Sequence, residues 1–193
     1  GGSGSGKSVM LKLITGLLAP DRGRVFVLDE EVSAMREEDL VPLRRRVGML
    51  FQGGALFDSL SVFENVAFPL REQGGRSEGE IRAAVEEKLG DVGLEGIGER
   101  APSELSGGMR KRVALARTIA MNPDIILYDE PTTGLDPANA KRISLLIRNL
   151  HAKLRATTCI VTHDMECARI VGDTFLVNVT LNLLFIGPLA FLG

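Results

Sequence analysis

An α/β fold built on a mainly parallel sheet is predicted by three features of this sequence. A glycine-rich phosphate loop, Gly1-Gly2-Ser3-Gly4-Ser5-Gly6-Lys7-Ser8, runs directly into an apolar helical pattern. The segment Asp124 to Glu130 puts four apolar residues immediately before two carboxylates, Asp129 and Glu130. A β-branched run, Thr157 to Thr162, leads into His163. Uninterrupted apolar strands belong to parallel sheets covered by helices, and such sheets take ligands outside the carboxyl ends of their strands.

The elements follow in order. Glycines in G-x-x-x-x-G-K-[ST] let successive backbone N–H groups turn toward one anion; Lys7 reaches the β- and γ-phosphates and the Ser8 hydroxyl ligates Mg2+. A helix starting at Ser8 adds its positive end, with the Val9 N–H also available to phosphate. Val9, Met10, Leu11, Leu13, Ile14, Leu17 and Leu18 carry that helix up to the Ala19-Pro20-Asp21-Arg22-Gly23 break. Glycine makes two-residue hairpin turns easy, and Leu28 is followed by Asp29-Glu30, so an altered or looser hairpin is expected there. Arg44-Arg45-Arg46 reads as a solvated helix end before the strand Val47 to Phe51, which ends at Gln52. Ser77-x-x-Glu80 is a capping box opening a helix through Leu89, broken by the segment from Gly90 to Gly98.

Leu105-Ser106-Gly107-Gly108 opens the next helix, carried by Val113, Leu115, Ala116, Ile119 and Ala120 and stopped by Asn122-Pro123. Ser106 and its two glycines at a helix start make a second anion site. Arg110-Lys111-Arg112 reads as helix surface. In the Asp124–Glu130 strand, Asp129 suits a Mg2+ shell and Glu130 suits polarising a water for in-line attack on a γ-phosphate. Asp136-Pro137 starts another helix with Ile143, Leu146, Ile147, Leu150 and Leu154 on one face. Residues 174–193 carry no charge and are long enough to raise a membrane span, but Val177 to Leu183 alternate with strand period and Gly187-Pro188 follows. A sheet-edge strand is expected, and because residues 178–186 hold no Asp-Gly turn either, any hairpin there is expected to be altered or looser.

Composition fits a globular domain: 193 residues, 45% hydrophobic, with a net charge of −2 that gives no general attraction to nucleic acid. Two cysteines, Cys159 and Cys167, form no disulfide framework. Their spacing around His163 suggests zinc, but a zinc site needs about four compact ligands and Cys159 falls in a buried strand.

In their order along nearly the whole chain, these segments resemble the ATPase subunits of ABC transporters. The resemblance implies a P-loop (RecA-like) nucleotide core over residues 1–52 and 122–193, with a helical, signature-bearing subdomain over residues 53–121. ATP and Mg2+ are the implied ligands. Leu105 to Gly108 matches the signature loop that faces the phosphate loop of a second subunit, which implies a head-to-tail homodimer. Gln52 matches the glutamine that senses Mg2+ and the attacking water and links to a transmembrane permease; Asp136, in Thr133-Gly134-Leu135-Asp136, matches the loop communicating between subunits; His163 matches the switch histidine near the γ-phosphate. Catalytic roles thus fall to Glu130, His163 and Gln52, and Mg2+ to Ser8, Gln52 and Asp129.

Residues 51–70, Met109 and Val9 further resemble the Mla-type ATPases that drive phospholipid transport between bacterial membranes. This implies a lipid-handling permease, a lipid-binding substrate protein, and a cytoplasmic location at the inner face of the membrane, with the permease touched around Gly53 to Pro69. Members of this family carry a strand before the phosphate loop and an aromatic that stacks on adenine, so the chain reads as N-terminally truncated. A catalytically inactive fragment and a non-transport ABC ATPase remain as alternatives. The latter is disfavoured by a single copy and only about fifty residues between Gln52 and Leu105.

Overall fold

The computed structural model describes residues 6–177 and 182–186, apart from the side chains of Lys7, of residues 175–177 and of residues 182–186. Its central sheet has the order β3-β4-β5-β7-β6, from β3 (Val47–Leu50), β4 (Ile125–Asp129), β5 (Thr157–Val161), β6 (Thr174–Val177) and β7 (Asn182–Ile186). β3, β4 and β5 run parallel; β7 is antiparallel to β5 and to β6. The sheet-edge strand expected at the C-terminal end is β6, and β7 lies inside the sheet between β5 and β6; the turn joining β6 to β7 lies outside the described residues. Alternation marks a strand but does not say how many there are or where each pairs.

Period-2 alternation divides β4 between two cores. Ile126 and Tyr128 face one cluster, shared with α3 (Val62–Gln73), α4 (Glu78–Asp91), α5 (Gly107–Ile119) and α6 (Pro137–Leu154). Leu127 faces the other, with Leu11 of α1 (Lys7–Ile14), Leu40 and Leu43 of α2 (Glu37–Arg45), and Cys159. The expected apolar face of α6 forms: Ile143, Ile147 and Leu150 are buried, and Leu146 and Leu154 pack beside them. Helices α3 to α5 make up the crossover between β3 and β4, and they share one continuous core with the sheet. α7 (Met165–Val171) follows β5 and buries Cys167, Ala168 and Val171.

Local chemistry explains most boundaries. Ser77 and Glu80 form the capping box that starts α4. α1 stops at Ile14, short of the expected Leu18. The Thr15 hydroxyl donates back to Leu11 O at 3.1 Å, Gly16 turns left-handed at φ 66°, and Arg44 donates to the carbonyls of Thr15 and Gly16 at 2.9 and 3.1 Å. Arg44 is thus a clamp on α1, not merely a solvated helix end. The hairpin β1 (Phe26–Val27) to β2 (Glu30–Glu31) is altered and not looser: without glycine it stays tight, because Leu28 and Asp29 both take positive φ, the backbone of a type I′ turn.

α5 lies directly against β3. A Cβ on Gly48 would stand 2.7 Å from the Thr118 carbonyl, so only glycine fits there. No helix among the described residues is long and apolar enough to cross a membrane.

Candidate functional site

Three chain segments converge at the carboxyl ends of the parallel strands: the start of α1, the end of β4 and the loop after β5. Gly6 caps α1 with φ 80°, and the Met10 N–H donates to its carbonyl at 3.1 Å. Gly1 to Ser5 and the Lys7 side chain lie outside the described residues. The Ser8 hydroxyl donates to Asp129 Oδ2 at 2.9 Å, which ties the phosphate-loop helix to the end of β4 across 121 residues of sequence. Val9 sits in the first turn of α1, where backbone N–H groups have no partner within the helix.

Asp129 and Glu130 are 8% and 6% exposed. Neighbours on a strand point to opposite faces; Glu130 departs from this through a left-handed φ of 49°, held by its N–H donating to Val161 O at 2.8 Å. A non-glycine residue in this region stores strain that the surrounding structure must hold. Glu130 Oε2 accepts the His163 N–H at 3.2 Å and lies 2.8 Å from His163 Nδ1. His163 itself is mostly exposed. Thr132 donates to Asp164 Oδ2 at 2.9 Å, joining the loops that carry Glu130 and His163.

Gln52 lies beyond the end of β3 and is exposed. Ser106 N-caps α5 and accepts the Met109 N–H at 3.3 Å; Gly107 approaches Leu135 and Gly108 approaches Asn139. Asp136 N-caps α6, and its hydrogen bonds from the backbone and side chain of Asn139 hold its carboxyl below the usual carboxylate range. The Ser106–Gly108 loop and the Asp136 loop therefore form one surface, while Ser8, Asp129, Glu130 and His163 form the other cluster.

A serine hydroxyl beside an aspartate carboxylate is an all-oxygen donor pair, which suits a small hard cation and fits Mg2+. When bound, Mg2+ would neutralise charge on the phosphates of a nucleotide.

The family model described as ABC transporter matches residues 1–133. The chain belongs to the ABC transporter family. The "Probable ribonucleotide transport ATP-binding protein mkl" of Mycobacterium tuberculosis is 45% identical over 188 residues, which is 97% of this chain and 52% of that protein. The "Intermembrane phospholipid transport system ATP-binding protein MlaF" of Escherichia coli is 46% identical over 173 residues, covering 90% and 64%. This chain thus spans about half to two thirds of the length of these curated relatives. Among solved structures, a dimeric ATP-binding cassette in a post-hydrolysis state bound to ADP and Pi superposes with TM-score 0.79 at 37% identity, covering 88% of this chain and 75% of that one.

Reading the residues in order missed Lys111. Taken as helix surface, it is 7% exposed, and its Nζ donates to the Gln52 carbonyl. Helical spacing from Leu115 and Thr118 gives the signal, since residues four and seven apart share a face. Asn65 was also missed. Buried, it bonds the carbonyls of Phe57, Leu60 and Ser61 and the Phe57 N–H, fixing the loop before α3.

Proposed function

We propose that this chain is the ATP-binding and hydrolysing unit of an ABC transporter that moves lipid across or between bacterial membranes. The observation that carries the ATPase reading is the joining of Ser8 to Asp129 at 2.9 Å beside the Glu130–His163 pair at 2.8 Å. In this reading the phosphate loop from Gly1 to Ser8 and the Val9 N–H hold the phosphates, and Ser8, Gln52 and Asp129 hold Mg2+. Glu130 accepts a proton from the attacking water, and His163 holds Glu130 in line with it. A carboxylate serves as base only if aimed, and the two contacts from His163 aim it.

Ser106, Gly107, Gly108 and Asp136 form the face turned toward a second copy of the chain, consistent with dimeric cassettes among its structural relatives. The nucleotide core over residues 1–52 and 122–193 and the helical subdomain over residues 53–121 are the two parts of this unit, packed against each other through one continuous core. A permease takes the groove beside Gln52, a cavity of about 670 Å3 lined by Val41, Phe51, Phe57, Phe68, Arg117 and Met121. Phe51, Phe57 and Phe68 are each exposed there, an apolar surface that calls for a covering partner. Docking there puts the chain at the cytoplasmic face of the membrane.

The relatives carry two substrate names, phospholipid and ribonucleotide. Lipid is favoured by residues 51–70 and Met109, which resemble the Mla type. The test is ATP turnover by the chain with its permease in vesicles, with phospholipid or ribonucleotide as the added substrate. Stimulation by phospholipid supports the reading; stimulation by ribonucleotide alone replaces its substrate, and no Mg2+-dependent turnover removes the ATPase reading.

A further inference from the structure

Asp164, the residue after His163, is bonded to segments on every side of it. Its Oδ1 accepts the N–H groups of Glu166 and Cys167 at 2.9 and 3.1 Å, which caps α7, and its own N–H donates to the buried Thr162 Oγ1 at 3.0 Å. Its Oδ2 accepts the hydroxyl of Thr132 at 2.9 Å, a bond across 32 residues to a side chain that is 6% exposed. The helix cap uses only Oδ1. The bond from Oδ2 therefore serves something other than the cap, and what it joins is the loop that leaves β4.

That bond closes a circuit. From Glu130 the chain runs through Pro131 to Thr132, crosses to Asp164, steps back to His163, and returns from the His163 N–H and Nδ1 to Glu130 Oε2 at 3.2 and 2.8 Å. Packing does not supply this geometry. The His163 side chain is 63% exposed, and Thr132, His163 and Asp164 line an open cavity of about 460 Å3. A group that close neighbours do not hold keeps one orientation through supporting hydrogen bonds. Glu130, at φ 49°, likewise needs its surroundings to hold it.

We propose that Thr132 and Asp164 are positioning residues that hold the His163 main chain against the Glu130 carboxylate and so keep that carboxylate aimed for hydrolysis. The proposal rests on the reading of Glu130 as the base. Without the Thr132 hydroxyl, Asp164 Oδ2 loses its donor, and the loop after β5 is free to swing into the cavity and carry the His163 N–H away from Glu130. A base displaced in this way slows the chemical step. ATP affinity is unaffected, because in this reading the phosphates are held by the loop from Gly1 to Ser8, on a different segment of the chain.

The test compares the full chain with Thr132→Val, Thr132→Ser and Asp164→Ser, following amide exchange at His163, single-turnover hydrolysis of Mg-ATP and ATP affinity. Val keeps the shape of threonine without the hydroxyl. It is expected to speed exchange of the His163 N–H about tenfold and to slow hydrolysis about 10- to 100-fold at unchanged ATP affinity. Thr132→Ser returns the hydroxyl and is expected to restore both. Asp164→Ser keeps a cap for α7 but is too short to reach Thr132 as well, and is expected to match Val. In a Glu130→Gln background Val is expected to slow hydrolysis no further, since residues acting through one base are not additive, whereas a loosened fold would slow both backgrounds alike. Unchanged exchange at His163 in a folded Val variant overturns the proposal, as does a Thr132→Ser variant as slow as Val or a further fall in the Glu130→Gln background. Faster exchange with wild-type hydrolysis overturns the link to catalysis. Should Val not fold, Asp164→Ser gives the same decisions. A wild-type chain that hydrolyses no ATP refutes the reading of Glu130, and exchange at His163 still decides whether Thr132 holds the loop.

Discussion

At the scale of single residues, Glu130 carries the sharpest consequence. Its buried carboxylate is held by both the backbone and the ring of His163, so replacing it with the isosteric amide should keep the shape and lose the base. Glu130→Gln is expected to slow hydrolysis by about 100- to 10,000-fold while ATP affinity stays near wild type, checked by turnover and nucleotide titration. Lys7→Ala is expected instead to weaken nucleotide binding itself, since a phosphate-loop lysine acts on bound phosphates.

The two cysteines give a pH test. Burial pushes the Cys159 thiol up to about 12 and the Cys167 thiol up to about 11, from 9.0. The folded state then holds protons that the unfolded state releases above pH 9, so stability is full below pH 9 and falls as pH rises toward 11–12. Denaturant melts at pH 8 and pH 10 check the sign, and thiol reagents are expected to react at the rate of unfolding.

The meeting of Ser8 with Asp129 was legible at this scale because the phosphate loop and the apolar run into Asp129-Glu130 use residue types that have few other reasons to occur together. Lys111 was not. A lysine between two arginines reads as solvated, and only its helical phase relative to Leu115 and Thr118 turns it inward, onto a loop 59 residues away. The pairing of Glu130 with His163 was equally hidden, because it depends on the register of β4 with β5, Asp129 opposite Val161.

At the scale of elements, the starts of helices were easier to read than their ends. Ser77, Ser106 and Asp136 cap α4, α5 and α6 through side-chain oxygens, a signal local to the sequence. Ser77→Ala is expected to cost about 1 kcal/mol in a denaturant melt, from loss of half the capping box. The end of α1 depends on Arg44, a distant residue, and Leu17 and Leu18 prolong the apolar pattern although both are exposed. Arg44→Ala is expected to destabilise by about 1.5–3 kcal/mol, since it removes charged donors from two carbonyls. Period 2 marked strand structure beyond Thr174 but not that β7 pairs with both β5 and β6, because pairing partners are not a property of a single run.

At the scale of the whole molecule, the parallel core of β3, β4 and β5 followed from apolar runs flanked by helical patterns. The shared core between the sheet and α3–α5 did not, because the insertion in sequence suggests a separate body while Val66, Leu70, Val113 and Leu115 pack in the same cluster as Ile126 and Tyr128. Motion at Gln52 is therefore expected to propagate through packed side chains into the Ser106 helix, and not through a loose linker. The surface bearing Ser106, Gly107, Gly108 and Asp136 is the part of the account that needs a second copy of the chain.

The most direct test of the account is the mass of the Glu130→Gln chain with and without Mg-ATP, measured by light scattering beside a nucleotide-binding assay. A monomer is expected without nucleotide, and a stable dimer holding ATP when Mg-ATP is added. ATP bound tightly by a chain that stays monomeric at saturating nucleotide would contradict it.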